Sequence, residues 1–243
     1  MSDRAREEQS GSSAREEQSG SSAREEQSGS RVLFVYYSYT GQTQKVLDAA
    51  ADVLRDRGCE VHMAPIEFVD PQYSEPFTRF PMRSVWPDMF SVFKAQGKGE
   101  TGEIRTPEAV REGAYDLVVL GSPTWWRTVS MPLRSFLESS EAAVLDGTPY
   151  AVLTVCRRYW RENLEAVREL ADKRGGRFVD SIHFEYPGGQ LQSMLSLTSY
   201  LGSGEYKDRY LGVKIPPTNI SAAQVDQARA FAGRLADRLF GGR

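Results

Sequence analysis

Three aliphatic hydroxyls crowd around one glycine in the stretch Ser38-Tyr39-Thr40-Gly41-Gln42-Thr43. Hydroxyls at that density can donate to phosphate oxygens, and a glycine lets the backbone take unusual dihedral angles and approach a ligand closely. No lysine stands in the loop, and both the Walker spacing and the G-x-G-x-x-G of dinucleotide folds are missing. These residues suit the holding of a terminal monophosphate that is never transferred. An ordinary Ser/Thr-capped turn would use the same residue types. Two other stretches carry flat or charged groups. Pro123-Thr124-Trp125-Trp126 sets two tryptophans side by side, which is costly unless they cover something flat or pack beneath a lid. Cys156-Arg157-Arg158-Tyr159-Trp160 sets two guanidinium cations beside two aromatics at the end of an apolar run.

Such stretches act together only if a scaffold gathers them, and the hydrophobic pattern supplies one. RVLFVYY, from Arg31, reads as a buried strand, followed by a helix over 42–57 with Val46, Ala49, Ala50, Val53 and Leu54 on one face and Gly58 as its stop. CEVHMAPI is a second strand and YDLVVLGS a third, continuously apolar and so expected to be buried on both faces. Ser130 and Pro132 suit the first turn of a helix running to Leu137. PYAVLTVC is a fourth strand, 161–174 a helix stopped by Gly175-Gly176, and RFVDSIHFEY a fifth strand. A capping box, Ser221 to Gln224, opens a last helix with Val225, Ala228, Phe231, Ala232, Leu235 and Leu239 inward. Strand–helix alternation over this length predicts an α/β fold, a parallel sheet with helices on both faces. Ligands in such folds sit beyond the carboxyl ends of the strands, where the strand order reverses, and all three stretches leave strands there.

S-x-T-G-x-T directly after the first strand of an alternating α/β chain resembles the FMN-phosphate loop of the flavodoxin-like family. The resemblance implies a doubly wound five-stranded sheet of order 2-1-3-4-5 and an FMN site. The first loop would take the phosphate. Pro123, Thr124, Trp125 and Trp126 would flank the ring, with Trp125 at the position of the family's aromatic and Trp126 packing structurally. The Cys156–Trp160 loop would hold the ring's polar edge. Arg157 or Arg158 there would stabilise negative charge on a reduced ring, although both also suit a solvated strand end. Cys156 ends an apolar strand and is expected to be a buried, inert thiol. CRRYW, LTSYLGSGEYKD and IPPTNIS are further similar to a flavodoxin-like group labelled dialkylresorcinol-condensing enzymes, which implies flavin-dependent oxidation of a polyketide-derived ring.

Composition narrows the class. Residues 1–30 repeat AREEQSGS at a period of nine, and the segment lacks the apolar residues needed to offset its ordering entropy, so a disordered tail is expected. Removing its seven acids and four arginines from totals of 33 and 30 leaves 26 of each in 31–243. A formally neutral domain does not build the strong positive field that nucleic acid requires, nor the acidic docking face of a flavodoxin-type carrier. No apolar run is long enough for a membrane span, and no secretory signal opens the chain. Cys59, Cys156, His62 and His183 lack metal-ligand spacing. A cytoplasmic protein is expected.

Two insertions interrupt the alternation, at about 66–106 and 186–220. The first holds Tyr73, Phe77, Phe80, Trp86, Phe90 and Phe93, the second Leu191, Met194, Leu195 and Leu197. Over a flavin these would wall an apolar pocket for a planar substrate. A homodimer interface or an extra mini-core would use the same residues. The expected activity is an FMN-dependent oxidoreductase drawing on NADH or NADPH and acting on quinone-like or polyketide-derived aromatics. A single-domain electron carrier is the alternative. Tyr159 and His183 are candidate acids or bases.

Overall fold

The computed structural model describes residues 29–217 and 219–241. The repeat tail lies outside them except for Gly29 and Ser30. In chain order the elements are β1 (Arg31–Tyr36), α1 (Gln42–Asp56), β2 (Glu60–Pro65), β3 (Glu67–Phe68), α2 (Val85–Lys98), β4 (Ile104–Arg105) and β5 (Leu117–Trp125). After these come β6 (Thr128–Val129), α3 (Met131–Glu138), β7 (Pro149–Cys156), α4 (Trp160–Asp172) and β8 (Arg177–Glu185). The chain closes with α5 (Gln190–Ser203), β9 (Arg209–Tyr210), β10 (Val213–Lys214) and α6 (Ala222–Phe240).

Five strands form a parallel sheet in the order β2-β1-β5-β7-β8. Counting only these principal strands, the order is the expected 2-1-3-4-5. Alternation along β1 shows why helices cover both faces. Val32, Phe34 and Tyr36 join α1 and α6 in one core, while Leu33 and Val35 join α3 and α4 in the other. Successive side chains of a strand point to opposite faces, so a run apolar at every position needs a layer on each. The α1 layer lies close to the sheet at Gly121, where an added Cβ would stand 2.5 Å from Leu47 Cδ1 and 2.6 Å from Tyr36 Cβ. The capping box forms as expected: Ser221 Oγ accepts from the Gln224 amide at 3.3 Å, and Gln224 Oε1 accepts from the Ser221 amide at 3.0 Å.

The insertions hold small elements of their own. β3 pairs with β4 and β9 with β10, each antiparallel, and α2 and α5 pack on each other. Helix α5 buries Ser193, Ser196 and Ser199 and leaves Leu191 and Met194 exposed. Leu195 and Leu197 are half-buried, and Tyr200 and Leu201 are buried. Phe77 and Phe80 do pack inward, whereas Trp86, Phe90 and Phe93 form an exposed ladder along α2. No helix among the described residues is long and apolar enough to cross a membrane.

Candidate active site

The sheet order reverses between β1 and β5, and ligands of such folds sit beyond the carboxyl ends of the strands at that point. The chain leaving β1 enters that region. Gly41 is the N-cap of α1 with φ 74° and ψ −5°, in the left-handed region that disfavours side chains. A Cβ at that position would meet nothing within 4 Å, so its glycine answers to backbone conformation and not to crowding. Ser38 Oγ accepts from the Gln44 amide at 3.1 Å, and Thr43 is buried beneath the turn. The first turn of α1 carries no acid, which leaves the positive end of the helix dipole uncompensated.

Two residues of the stretch act as ties. Gln42 Nε2 donates to Tyr200 Oη at 3.4 Å, and its Oε1 accepts from the Ile220 amide at 2.7 Å. Tyr39 Oη donates to the Arg79 carbonyl at 2.6 Å, with its ring set edge-on between Phe77 and Phe80. Burial, with the Asp88 carboxylate adding to it, pushes the Tyr39 hydroxyl up to about 12. Both ties run to the insertions, so the loop is held from outside the sheet.

The second stretch is not a free loop. β5 continues through Trp125 and turns back into β6, pairing Thr124 with Val129 and Trp125 with Thr128. Trp126, at φ 55°, and Arg127 make the turn. Phe77 stacks on Trp125 at 4.5 Å and 25°, while Tyr37 meets the same indole edge-on at 5.7 Å. Trp126 packs edge-on against Phe93 at 5.1 Å, in keeping with a structural role. The hydroxyls of Ser122, Thr124 and Ser130 are buried here without partners.

In the third stretch the two arginines behave differently from solvated surface residues. Arg157 Nη1 donates to the Ser193 carbonyl at 2.8 Å, and its guanidinium lies 4.6 Å over the Tyr186 ring. Burial pulls it down to about 10, and it pairs with no carboxylate among the described residues. Arg158 Nη2 donates to the Gly188 carbonyl at 3.0 Å, and its Nε is buried without a partner. Cys156 is buried, and desolvation pushes its thiol up to about 12, which makes it inert. Tyr159, at φ 63°, is exposed under Arg127. Trp160 turns away: its ring stacks on His183 at 3.8 Å and 8°, with Arg161 over it at 4.3 Å.

The sheet therefore brings the Ser38–Thr43 turn, the Thr124–Trp125 hairpin and Arg157–Arg158 to one edge, and leaves Trp160 and His183 facing each other. The donor set fits a phosphorylated planar group at its polar end. The acid-free N-terminus of α1, headed by an exposed left-handed glycine, stands at one stretch, and Thr124 and Arg158, each with a buried polar atom lacking a partner, stand in the other two. Next to Trp125, one ring face is already taken by Phe77. Among the described residues no group of three His, Cys, Asp or Glu side chains could hold a metal ion.

No family model matches the chain. It is 28% identical over 169 residues to a protein named NAD(P)H dehydrogenase (quinone) from Archaeoglobus fulgidus, covering 69% of each chain. Among solved structures, a flavodoxin, WrbA-like protein from Agrobacterium tumefaciens is similar with TM-score 0.48 and 15% identity, covering 88% of this chain and 100% of that one. Oxidised Flavodoxin 2 from Bacillus cereus gives TM-score 0.48 at 16% identity, covering 86% and 99%.

Sequence reasoning missed Asn163. Fully buried near the start of α4, its Nδ2 donates to the carbonyls of Pro123 and Thr128 at 3.3 Å each, and Thr154 Oγ1 donates to its Oδ1 at 3.4 Å. It pins the hairpin that carries Trp125. The available signal was an amide at an inward position of the amphipathic α4, beside the apolar Val167. Gln96 of α2 does similar work, donating to the Val129 carbonyl at 2.8 Å. Nothing in its local sequence marks it as buried.

Proposed function

We propose that this chain binds FMN at the carboxyl edge of β1, β5 and β7 and uses it as an oxidoreductase, with NADH or NADPH as reductant. The reading rests above all on the Ser38–Thr43 turn, where a left-handed glycine and an uncompensated helix terminus stand at the strand-order reversal. Bound there, FMN would supply hydride and single-electron transfer, chemistry no side chain of the site provides. The chain's own groups bind and orient. Ser38, Thr40, Thr43 and the first amides of α1 take the phosphate, and Trp125 offers its indole to the ring. Tyr39 and Gln42 hold the loop. Pro123, Thr124 and the Cys156–Tyr159 segment line the ring's edge, while Trp126 and Trp160 pack behind it.

Arg157 and Arg158 favour an enzyme over a low-potential carrier. A guanidinium without a carboxylate partner, in a partly dry site, stabilises negative charge on a neighbouring group. A carrier that works at low potential needs the reverse. The substrate class is quinone-like or polyketide-derived aromatic, supported by the Phe68, Phe77 and Phe80 cluster around Trp125 and Tyr39. The similarity to a protein named NAD(P)H dehydrogenase (quinone) points the same way. The test is steady-state oxidation of NADH and NADPH by the FMN-loaded chain with a soluble benzoquinone. Turnover with quinone supports the enzyme. Reduction only by a flavodoxin reductase, with no direct nicotinamide oxidation, establishes the carrier instead.

A further inference from the structure

Away from the reversal edge, a cavity of about 380 Å³ lies between the first turn of α2 and the second half of α5. It falls within the size range of small-molecule sites, which run to about 300–1,000 Å³. Its walls combine features that no fold requirement explains. Trp86 and Tyr210 provide flat apolar surface, and Lys207 provides a cation that makes no ion pair with any described residue. Ser199 also lines it, with its own hydroxyl turned into the protein and buried.

Gly202 lets α5 pack closely on α2 at the cavity wall, since a Cβ there would stand 3.2 Å from Val85 Cγ2. The acid of the first turn of α2, Asp88, accepts from the Ser84 amide at 3.1 Å and does not line the cavity.

We infer that this cavity is a second ligand site that takes a planar aromatic anion, an aryl carboxylate, with the ring against Trp86 and Tyr210 and the carboxylate on Lys207. The site is independent of the flavin reading, since none of these residues belongs to the reversal edge. The probe is 2-naphthoate, with neutral 2-naphthamide as its isostere, titrated by calorimetry into the full chain and its variants. One saturable site is expected for 2-naphthoate. Loss of the charge pair, in 2-naphthamide or in Lys207→Gln, weakens binding about 5-fold, the equivalent of a favourable partly exposed ion pair. Lys207→Gln leaves the amide unaffected. Trp86→Ala weakens both ligands about 10-fold through lost stacking area. Lys207 is exposed, so its variant folds whatever Trp86→Ala does. The inference is overturned by no saturable heat, by equal binding of acid and amide, or by binding that neither variant changes.

Discussion

Replacing Gly41 with alanine isolates one physical term. Residue 41 sits at φ 74°, and its missing Cβ would touch nothing within 4 Å. Crowding is therefore absent, and the whole penalty is the left-handed backbone, about 1–2 kcal/mol. That strain has two places to appear. If the ties from Tyr39 and Gln42 hold the turn in its native shape, the folded chain loses about 1–2 kcal/mol, which lowers Tm by about 2–8 °C. If the turn relaxes when empty, the same strain returns on binding and raises the FMN dissociation constant about 5- to 30-fold. Thermal melts of the apo chain and flavin-fluorescence titrations measure the two terms, whose sum should be about 1–2 kcal/mol. Gly41→Asn, which visits the left-handed region more readily, should recover part of both. An alanine variant unchanged in both assays would refute the conformational argument. So would a loss of affinity far beyond 30-fold shared by alanine and asparagine, since only a steric effect behaves that way.

Three other outcomes follow from single contacts. Asn163→Ala strips the partner from two carbonyls of the Trp125 hairpin and should cost about 1–3 kcal/mol in urea unfolding, together with weaker FMN retention. Iodoacetamide should leave Cys156 unmodified in the native chain at pH 8, because the thiol is held up to about 12, and should modify it on unfolding. His183 is held below its ordinary value by desolvation, which outweighs the opposing Glu185 carboxylate, with Arg161 adding to the lowering. Its contribution is thus present above pH 6.5 and lost as the pH falls through the native value. His183→Gln should flatten the acid side of the stability profile, and an unchanged slope would remove His183 as its source.

How legible the molecule was depended on whether a residue's role was local. The parallel sheet followed from β1, β5 and β7 reading as unbroken apolar runs between amphipathic helices, whereas the strand order came from the flavodoxin-like resemblance. The Gly41 turn was legible as a strand–helix junction, although its hydroxyls alone fit an ordinary capped turn as well as a phosphate nest. The β5–β6 hairpin was not. Its turn is Trp126-Arg127 in place of the glycine-containing pairs that announce a hairpin, and a non-glycine at φ 55° is set by packing against Phe93. Helix α5 was harder to place. Its leucines and methionine suggested a pocket wall, an interface or a mini-core, yet Leu191 and Met194 are exposed while Ser193 and Ser196 lie inward and bond Arg157. The stacking of Trp160 on His183, 23 residues on, was equally invisible in the sequence. In each case the deciding partner is distant in sequence.

The central claim is that the Ser38–Thr43 turn grips a flavin by its phosphate. Parallel titrations of the purified full chain with FMN and with riboflavin, followed by the shift in the flavin absorption spectrum, test it most directly. Two charge-assisted hydrogen bonds at about 1.5 kcal/mol each predict one FMN per chain and riboflavin weaker by about 100-fold or more. Equal affinity for the two flavins, or no spectral shift with either, would contradict the account.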